Sequence, residues 1–202
     1  MEAKLRSDLK PYSLVELSFV GGKNNFFLTG AKTIENFIDG IAVKDFFAAS
    51  VIASIIDTYI VQPERDERLF LNILFSFRAL VANDEKKSWV VVQRFFWKLL
   101  QQQGTFILSH KCRRCSNDFD YGAVLGSDGE LLCLNCSSNG VFSFDKEDLY
   151  ALGQILNSKI DEDVPRHVFE HMNLALKTFL LKEKSYSALN CHAISWFLER
   201  VI

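Results

Sequence analysis

The sequence lacks the features that would assign it to several large classes of protein. Its 202 residues show no excess of either charge, because 23 Lys and Arg stand against 25 Asp and Glu. A globally basic nucleic-acid binder is therefore excluded, and any contact with nucleic acid must use a local patch. The longest apolar stretches are interrupted by charges such as Asp57 and Arg78, so none reads as a membrane span. Residues 1–12 are charged and lack the apolar core of a secretory signal, which predicts a cytoplasmic protein.

A catalytic constellation is also missing. No nucleophile–base pair, phosphate-binding loop or carboxylate pair occurs at a usable spacing, which predicts a protein that is not an enzyme. Internal repeats and low-complexity tracts are absent from the chain as well. What is present is material for a packed core, since 49% of the residues are hydrophobic and 13% are aromatic.

The first segment has the two-residue period of β-structure. Val15, Leu17 and Phe19 alternate with polar neighbours, and the Gly- and Asn-rich residues 21–25 form a turn. Residues 12–30 are therefore predicted to be one hairpin. A lone hairpin is marginal in water, so either these strands pack against the rest of the protein or part of their sheet is missing from this chain.

From about residue 31 onward the apolar period becomes helical. Gly104 is expected just beyond the C-terminus of the third helix. Helices with short connections predict a helical bundle whose first helix is largely buried. The predicted helices are 44–61, 65–82, 86–103, 145–157 and 165–183, with a short last segment at 194–198.

Four of the five cysteines stand in two C-x-x-C pairs, Cys112/Cys115 and Cys133/Cys136, with seventeen residues between the pairs. Two-residue spacing lets both thiolates of a pair reach one ion from a tight turn, and two pairs complete a tetrahedral S4 site. The intervening residues 121–132, with a turn at Asp128, fit a small hairpin. The pattern predicts one structural Zn²⁺ ion in a closed site.

Other readings of the cysteines find less support. A redox pair of the thioredoxin type would need a βαβ unit, and none surrounds Cys112 or Cys133. A zinc deaminase would need an H-x-E motif, which His110 does not begin. Iron stays open as an alternative metal, because spacing alone does not separate it from zinc.

The remaining histidine and cysteine candidates are interpreted as structural. His167 and His171 lie four residues apart on one predicted helix face, but no third metal ligand is evident in the sequence. Cys191 precedes an apolar segment and is interpreted as a small buried hydrophobe.

Several stretches, in the same order along the chain, resemble the RecO family of bacterial recombination mediators and DNA repair proteins. Leu9, Pro11, Tyr12, Glu16 and Leu17 match the family's L-x-P-[FY]-x-x-x-E-L strand, late in its N-terminal OB barrel. Further similar stretches are residues 27–31, residues 95–100 leading through Gly104 to the first cysteine pair, and residues 129–136 at the second pair.

The resemblance implies a mainly α, α+β fold. Residues 1–30 would form a partial OB-fold segment with only the last strands of the barrel, and residues 31–202 a helical domain with a zinc-binding insertion at about 106–142. It also implies a cytoplasmic, nucleoid-associated protein that binds and anneals single- and double-stranded DNA. With RecR, such a protein helps to load RecA and recognises the C-terminal tail of single-strand DNA-binding protein.

Basic residues are the candidates for these contacts. DNA phosphates would be contacted from the chain start, the hairpin turn and the first cysteine pair. The acidic tail peptide would be received near the last long helix. The DNA candidates are Lys4, Arg6, Lys10, Lys23, Arg113 and Arg114, and the tail candidates are Arg166, Lys177, Lys182 and Lys184.

Two alternative functions belong to other classes. The first is a zinc-stabilised helical scaffold that binds only proteins, and the missing barrel strands are compatible with it. A metalloenzyme is less favoured, because an S4 site has no open coordination position.

Overall fold

A computed structural model describes residues 8–22, 25–42, 45–59, 65–82, 88–137, 140–157 and 164–182. In these segments the chain forms five helices and two small antiparallel sheets, the mainly α, α+β class predicted from the sequence. The strands are β1 (Ser13–Gly21), β2 (Phe26–Asn36), β3 (Ala123–Gly126), β4 (Leu131–Leu132) and β5 (Gly140–Phe144). The helices are α1 (Phe46–Tyr59), α2 (Glu67–Val81), α3 (Ser88–Gln102), α4 (Lys146–Leu156) and α5 (Arg166–Lys182).

The first sheet is the predicted hairpin, but it is longer than predicted. β1 and β2 pair antiparallel from Gly21 opposite Phe26 to Ser13 opposite Asn36, with two register shifts. The predicted end of the hairpin at residue 30 was wrong, because β2 continues to Asn36. Residues 31–36 are extended because they pair with the first half of β1, where Thr33 lies opposite Val15.

The base of the hairpin is attached to the helices by aromatic contacts. The Tyr12 ring lies 5.3 Å from Phe46 and 5.8 Å from Phe77, and Phe37 stacks on Phe77 at 5.6 Å. Arg78 of α2 also contacts Glu35 of β2 at 2.8 Å. These contacts stabilise one end of the hairpin, and the residues toward its turn lie in solvent.

Helix α3 is the centre of the bundle. Nine of its fifteen residues are buried, and it contacts α1, α2 and α4. The sequence predicts an apolar stripe on this helix, and every member is buried except Trp89, which is half-buried. The members of the stripe are Trp89, Val92, Phe95, Phe96, Leu99 and Leu100. The sequence also places Phe47 and Phe70 in the apolar stripes of α1 and α2, but their side chains are 52% and 50% exposed.

Buried polar side chains connect the helices inside this core. Asn72 of α2 donates a hydrogen bond to the Phe95 carbonyl at 3.1 Å. Gln93 of α3 donates to Asn173 of α5 and accepts a hydrogen bond from Trp97 Nε1 at 3.0 Å. Because these buried amide side chains have partners on neighbouring helices, their hydrogen bonds help to specify the relative positions of the helices.

The second sheet has the strand order β4-β3-β5 and packs on the same core. Trp97 of α3 contacts Phe106 at 4.8 Å and Phe144 of β5 at 6.3 Å between ring centroids. Asp145 then caps α4 in a capping box with Asp148. The segment with the four cysteines is thereby held against the helical core. No helix of the described segments is long and apolar enough to cross a membrane.

Gly129 in the β3–β4 turn should tolerate no side chain. Its φ is +79°, and a Cβ atom there would lie 1.9 Å from the Thr105 carbonyl oxygen. We expect Gly129→Ala to lower the free energy of unfolding by roughly 2–3 kcal/mol, by adding a backbone clash to left-handed strain of about 1 kcal/mol. Urea denaturation measures the change.

The matched control for this change is Gly104→Ala. Gly104 has a similar φ of +73°, but a Cβ there would meet nothing within 4 Å. Its variant therefore carries the conformational strain alone, and equal losses in the two variants would contradict the predicted clash.

Candidate metal centre

Two tight turns present the four cysteines at one end of the second sheet. In the first turn, the Ser116 N–H donates to the Cys112 carbonyl at 2.9 Å, and Ser116 takes a positive φ of 61°. In the second turn, the Cys136 N–H donates to the Cys133 carbonyl at 3.0 Å. The Arg113 N–H also donates to the Leu131 carbonyl at 3.2 Å, which fastens the first turn to β4. The predicted hairpin between the pairs is confirmed as β3 and β4.

The sulfur atoms form a cluster with the dimensions of a tetrahedral metal site. The Sγ atoms of Cys112, Cys115, Cys133 and Cys136 all lie within 4.8 Å of one another, and Cys115 Sγ is 3.7 Å from Cys133 Sγ. Zinc–thiolate bonds of about 2.3 Å place the sulfurs of a tetrahedron roughly 3.8 Å apart. The described cysteines are free, since a disulfide would need sulfurs about 2 Å apart. The donor set and its spacing therefore fit Zn²⁺.

The thiols of Cys112 and Cys136 have unequal pKa values. Burial raises the pKa of Cys112, but backbone N–H groups of Cys133, Cys115 and Arg114 together lower it to about 6. Hydrogen bonds from Cys136 to Cys133 and Cys115, together with burial, raise the pKa of Cys136 to about 12. One thiolate is thus stabilised by the backbone, and the full set of four thiolates requires a cation.

Three basic residues surround the cluster, and each has another partner. Lys111 pairs with Asp118 at 3.4 Å, and Arg113 pairs with Glu130 at 3.6 Å. Arg114 donates from Nη1 to the Cys136 carbonyl at 2.8 Å, which ties the two cysteine turns together.

The two histidines of α5 have carboxylate partners on α4. His167 Nε2 lies 3.0 Å from Glu147, and His171 Nδ1 lies 2.5 Å from Asp148. Asp148 is buried and its carboxylate also accepts the Asp145 N–H in the capping box. The sequence did not reveal which groups lie beside these two histidines. The structure shows that they are carboxylates of α4, and these contacts pair α4 with α5.

The pH dependence of stability should reveal the buried Asp148. Burial raises its pKa above the ordinary 3.8, although the Asp145 N–H and His171 oppose the change. A raised pKa stabilises the fold while the carboxyl is neutral, and this contribution is lost as the pH rises through the folded value. Relative to Asp148→Asn, the wild-type protein should therefore gain stability as the pH falls from 7 toward 3.8.

Urea denaturation at several pH values tests this expectation. Glu147→Gln is the matched control, because it removes a neighbouring carboxylate that is exposed. The pH dependence of the free energy of unfolding that the control also shows is subtracted. If the wild-type protein then loses stability relative to Asp148→Asn as the pH falls, the raised pKa of Asp148 is refuted.

The basic residues predicted from the sequence are placed unevenly. Lys10 is exposed before β1, and Arg113 and Arg114 lie at the first cysteine turn. Arg166 contacts Glu170 at 2.8 Å, and Lys177 lies three turns further along the same face of α5, about 16 Å away. Lys4, Arg6, Lys23, Lys184 and Cys191 lie outside the described residues, as does the side chain of Lys182.

Two basic residues were missed by the sequence interpretation. Arg94 and Lys98 lie four residues apart on α3, the most buried helix of the bundle. The available signal was a pair of cations four residues apart inside a mostly apolar helix.

The fold and the cluster define a helical bundle with a cysteine-rich, sheet-containing insertion suited to structural metal. Residues 43–182 match the profile of the family described as Recombination protein O C terminal. The match covers more than half of the chain, which therefore belongs to the RecO family, as the resemblance predicted. This is a family of recombination and repair mediators rather than classical enzymes. A comparison with curated proteins found no match.

Proposed function

We propose that this protein is a recombination mediator that binds and anneals single- and double-stranded DNA in the cytoplasm, at the nucleoid. With RecR, it helps to load RecA onto DNA coated with single-strand DNA-binding protein. The family match over residues 43–182 carries this proposal, because it spans the helical bundle and the cysteine insertion together. The proposed organisation keeps a partial OB-fold segment at residues 1–30, before a helical domain at 31–202 with its insertion at about 106–142.

One structural Zn²⁺ ion is proposed for the cysteine cluster. Cys112, Cys115, Cys133 and Cys136 would hold it, and a closed S4 set leaves no position for a substrate or water. The ion would supply cohesion between the two turns and no reaction chemistry. The protein's own groups, chiefly the Arg114 bond to the Cys136 carbonyl, orient the same turns.

DNA phosphates are proposed to contact Lys10, Arg113 and Arg114, together with Lys4, Arg6 and Lys23. The exposed half of the Arg113 side chain supports this, since its contact with Glu130 is 3.6 Å long and open to solvent. Surface ion pairs of this kind contribute little, so a phosphate can replace the carboxylate at small cost.

The acidic tail of single-strand DNA-binding protein is proposed to dock along α5. Arg166 and Lys177 share one face of this helix, Lys182 is its last residue, and Lys184 follows two residues later in the sequence. Reversing the charges of Lys177 and Lys182 should weaken binding of a tail peptide. Peptide affinity that survives both reversals would refute this docking site.

Fluorescence anisotropy with single-stranded DNA tests the central proposal. We expect binding at low salt that weakens as salt rises, because phosphate contacts release counterions. An annealing assay with complementary oligonucleotides, performed on the same protein, tests the proposed annealing activity. Absence of DNA binding even at low salt would refute the proposal.

A zinc-stabilised scaffold that binds only proteins is the second candidate. The exposed part of the hairpin favours it, because Phe19, Val20, Phe26 and Phe27 are 54%, 58%, 81% and 61% exposed. A cluster of large exposed apolar side chains marks an interaction surface. RecR binding without DNA binding would make this the better description.

A further inference from the structure

A narrow basic stripe runs along the exposed side of α3. Nine residues of this helix are buried. The stripe consists of two cations, Arg94 and Lys98, and the neutral amide Gln101. These positions follow the i, i+4, i+7 spacing that places side chains on one helix face. All three residues are only partly exposed, and the preceding residues Val90 and Val91 are buried.

The charges of this stripe are not satisfied within the described structure. Arg94 Nε is buried and has no hydrogen-bond partner among the residues that the structure describes. In the described segments, no carboxylate forms an ion pair with Arg94 or Lys98. Burial lowers the pKa of both side chains, and the neighbouring Arg94 charge lowers the pKa of Lys98 further.

Two like charges at this spacing repel each other, and partial burial strengthens the repulsion. An anion bound between Arg94 and Lys98 would attract both cations and offset their mutual repulsion. The guanidinium offers a planar fork of N–H donors, the ammonium a point charge, and the Gln101 amide a further donor.

We propose that Arg94 and Lys98, with Gln101 beside them, form a binding subsite for a phosphate-class oxyanion. Phosphate fits better than carboxylate, because its several oxygens and larger charge can engage both cations, whereas one carboxylate satisfies the fork alone. The source of the phosphate is either a free phosphate compound or the phosphodiester backbone of nucleic acid. The subsite does not depend on the proposed mediator function.

Nitrogen-15 NMR of the arginine Nε–H groups in the full-length protein tests this inference. Inorganic phosphate and pyrophosphate should shift the Arg94 Nε–H resonance, which is assigned by its loss in Arg94→Lys. The double variant Arg94→Gln/Lys98→Gln should weaken pyrophosphate binding at least tenfold. The control Lys32→Gln/Lys146→Gln removes the same charge from exposed lysines elsewhere and should bind pyrophosphate as the wild type does.

Oligo-dT binding by the same proteins distinguishes the sources. If the phosphodiester backbone occupies the subsite, the double variant should lower the slope of log affinity against log salt by about 1.4, for two lost phosphate contacts. Loss of pyrophosphate binding with an unchanged DNA slope would assign the subsite to a free phosphate compound. Wild-type protein that binds no oligo-dT but binds pyrophosphate through Arg94 would contradict the mediator function alone.

Two results would overturn the subsite itself. One is phosphate and DNA binding that stays unchanged in Arg94→Lys and in the double variant, with both variants folded by circular dichroism. The other is an equal shift of the Arg94 resonance by acetate or an acidic peptide at the same concentration, which would make the stripe a carboxylate site.

Discussion

Removal of zinc from the purified protein is expected to lower its melting temperature by roughly 10 °C. A ligand that binds only the folded state stabilises it by about 4 kcal/mol when its free concentration is a thousand times the dissociation constant. For a chain of this size, each kcal/mol corresponds to roughly 2–4 °C. Cys112→Ser should have a similar effect, because the buried Cys112 is one of the four clustered sulfurs. Calorimetry and metal analysis measure both changes.

The fifth cysteine provides the matched control for this prediction. Cys191→Ser removes a thiol that stands outside the two C-x-x-C pairs, and it should leave one zinc bound per chain. Hydrogen exchange should show loss of protection in the cysteine segment, from Phe106 to Cys136, before it is lost in α3. An unchanged melting temperature with the metal gone would refute a structural role for the site.

Trp97→Ala is expected to be the most destabilising single change in the helical core. The Trp97 side chain is fully buried, and its ring contacts Phe106 and Phe144. Its Nε1 also donates to Gln93 Oε1 at 3.0 Å. Truncation leaves a large cavity and an unpaired acceptor, so the free energy of unfolding should fall by about 3–5 kcal/mol.

Trp97→Phe separates the two contributions. It keeps most of the ring volume and removes the Nε1 hydrogen bond, so it should cost about 1–3 kcal/mol. Urea denaturation followed by circular dichroism measures both variants. A loss below about 1 kcal/mol for Trp97→Ala would show that this residue does not join the cysteine segment to the bundle.

Helix positions were predictable because each helix carries apolar residues that recur with the helical period of about 3.6 residues. α3 is the clearest case, because the apolar side chains at helical spacing between Val92 and Leu100 are buried. The end of the hairpin was not predictable. Residues 31–36 have no strong period of their own, and only the partner strand β1 keeps them extended.

The cysteine cluster was predictable because its chemistry is local. Two short turns each bring a pair of sulfurs together, and the hairpin between the pairs is short. The charge partners were not predictable. Asp148 comes beside His171 only because α4 and α5 pack together. Arg94 Nε lacks a partner among the described residues because of the groups that pack around α3.

The sequence by itself determined the helical segments, the cysteine pairs and the family, because these depend on residues close together in the chain. Tertiary structure alone decided the length of β2, the exposure of Phe47 and Phe70, and the position of Trp97 between bundle and sheet. It also decided which cations are neutralised and which, like Arg94 and Lys98, remain without a carboxylate in the described segments. The physical reason is that burial and electrostatic interaction depend on distances between atoms, which sequence separation does not specify.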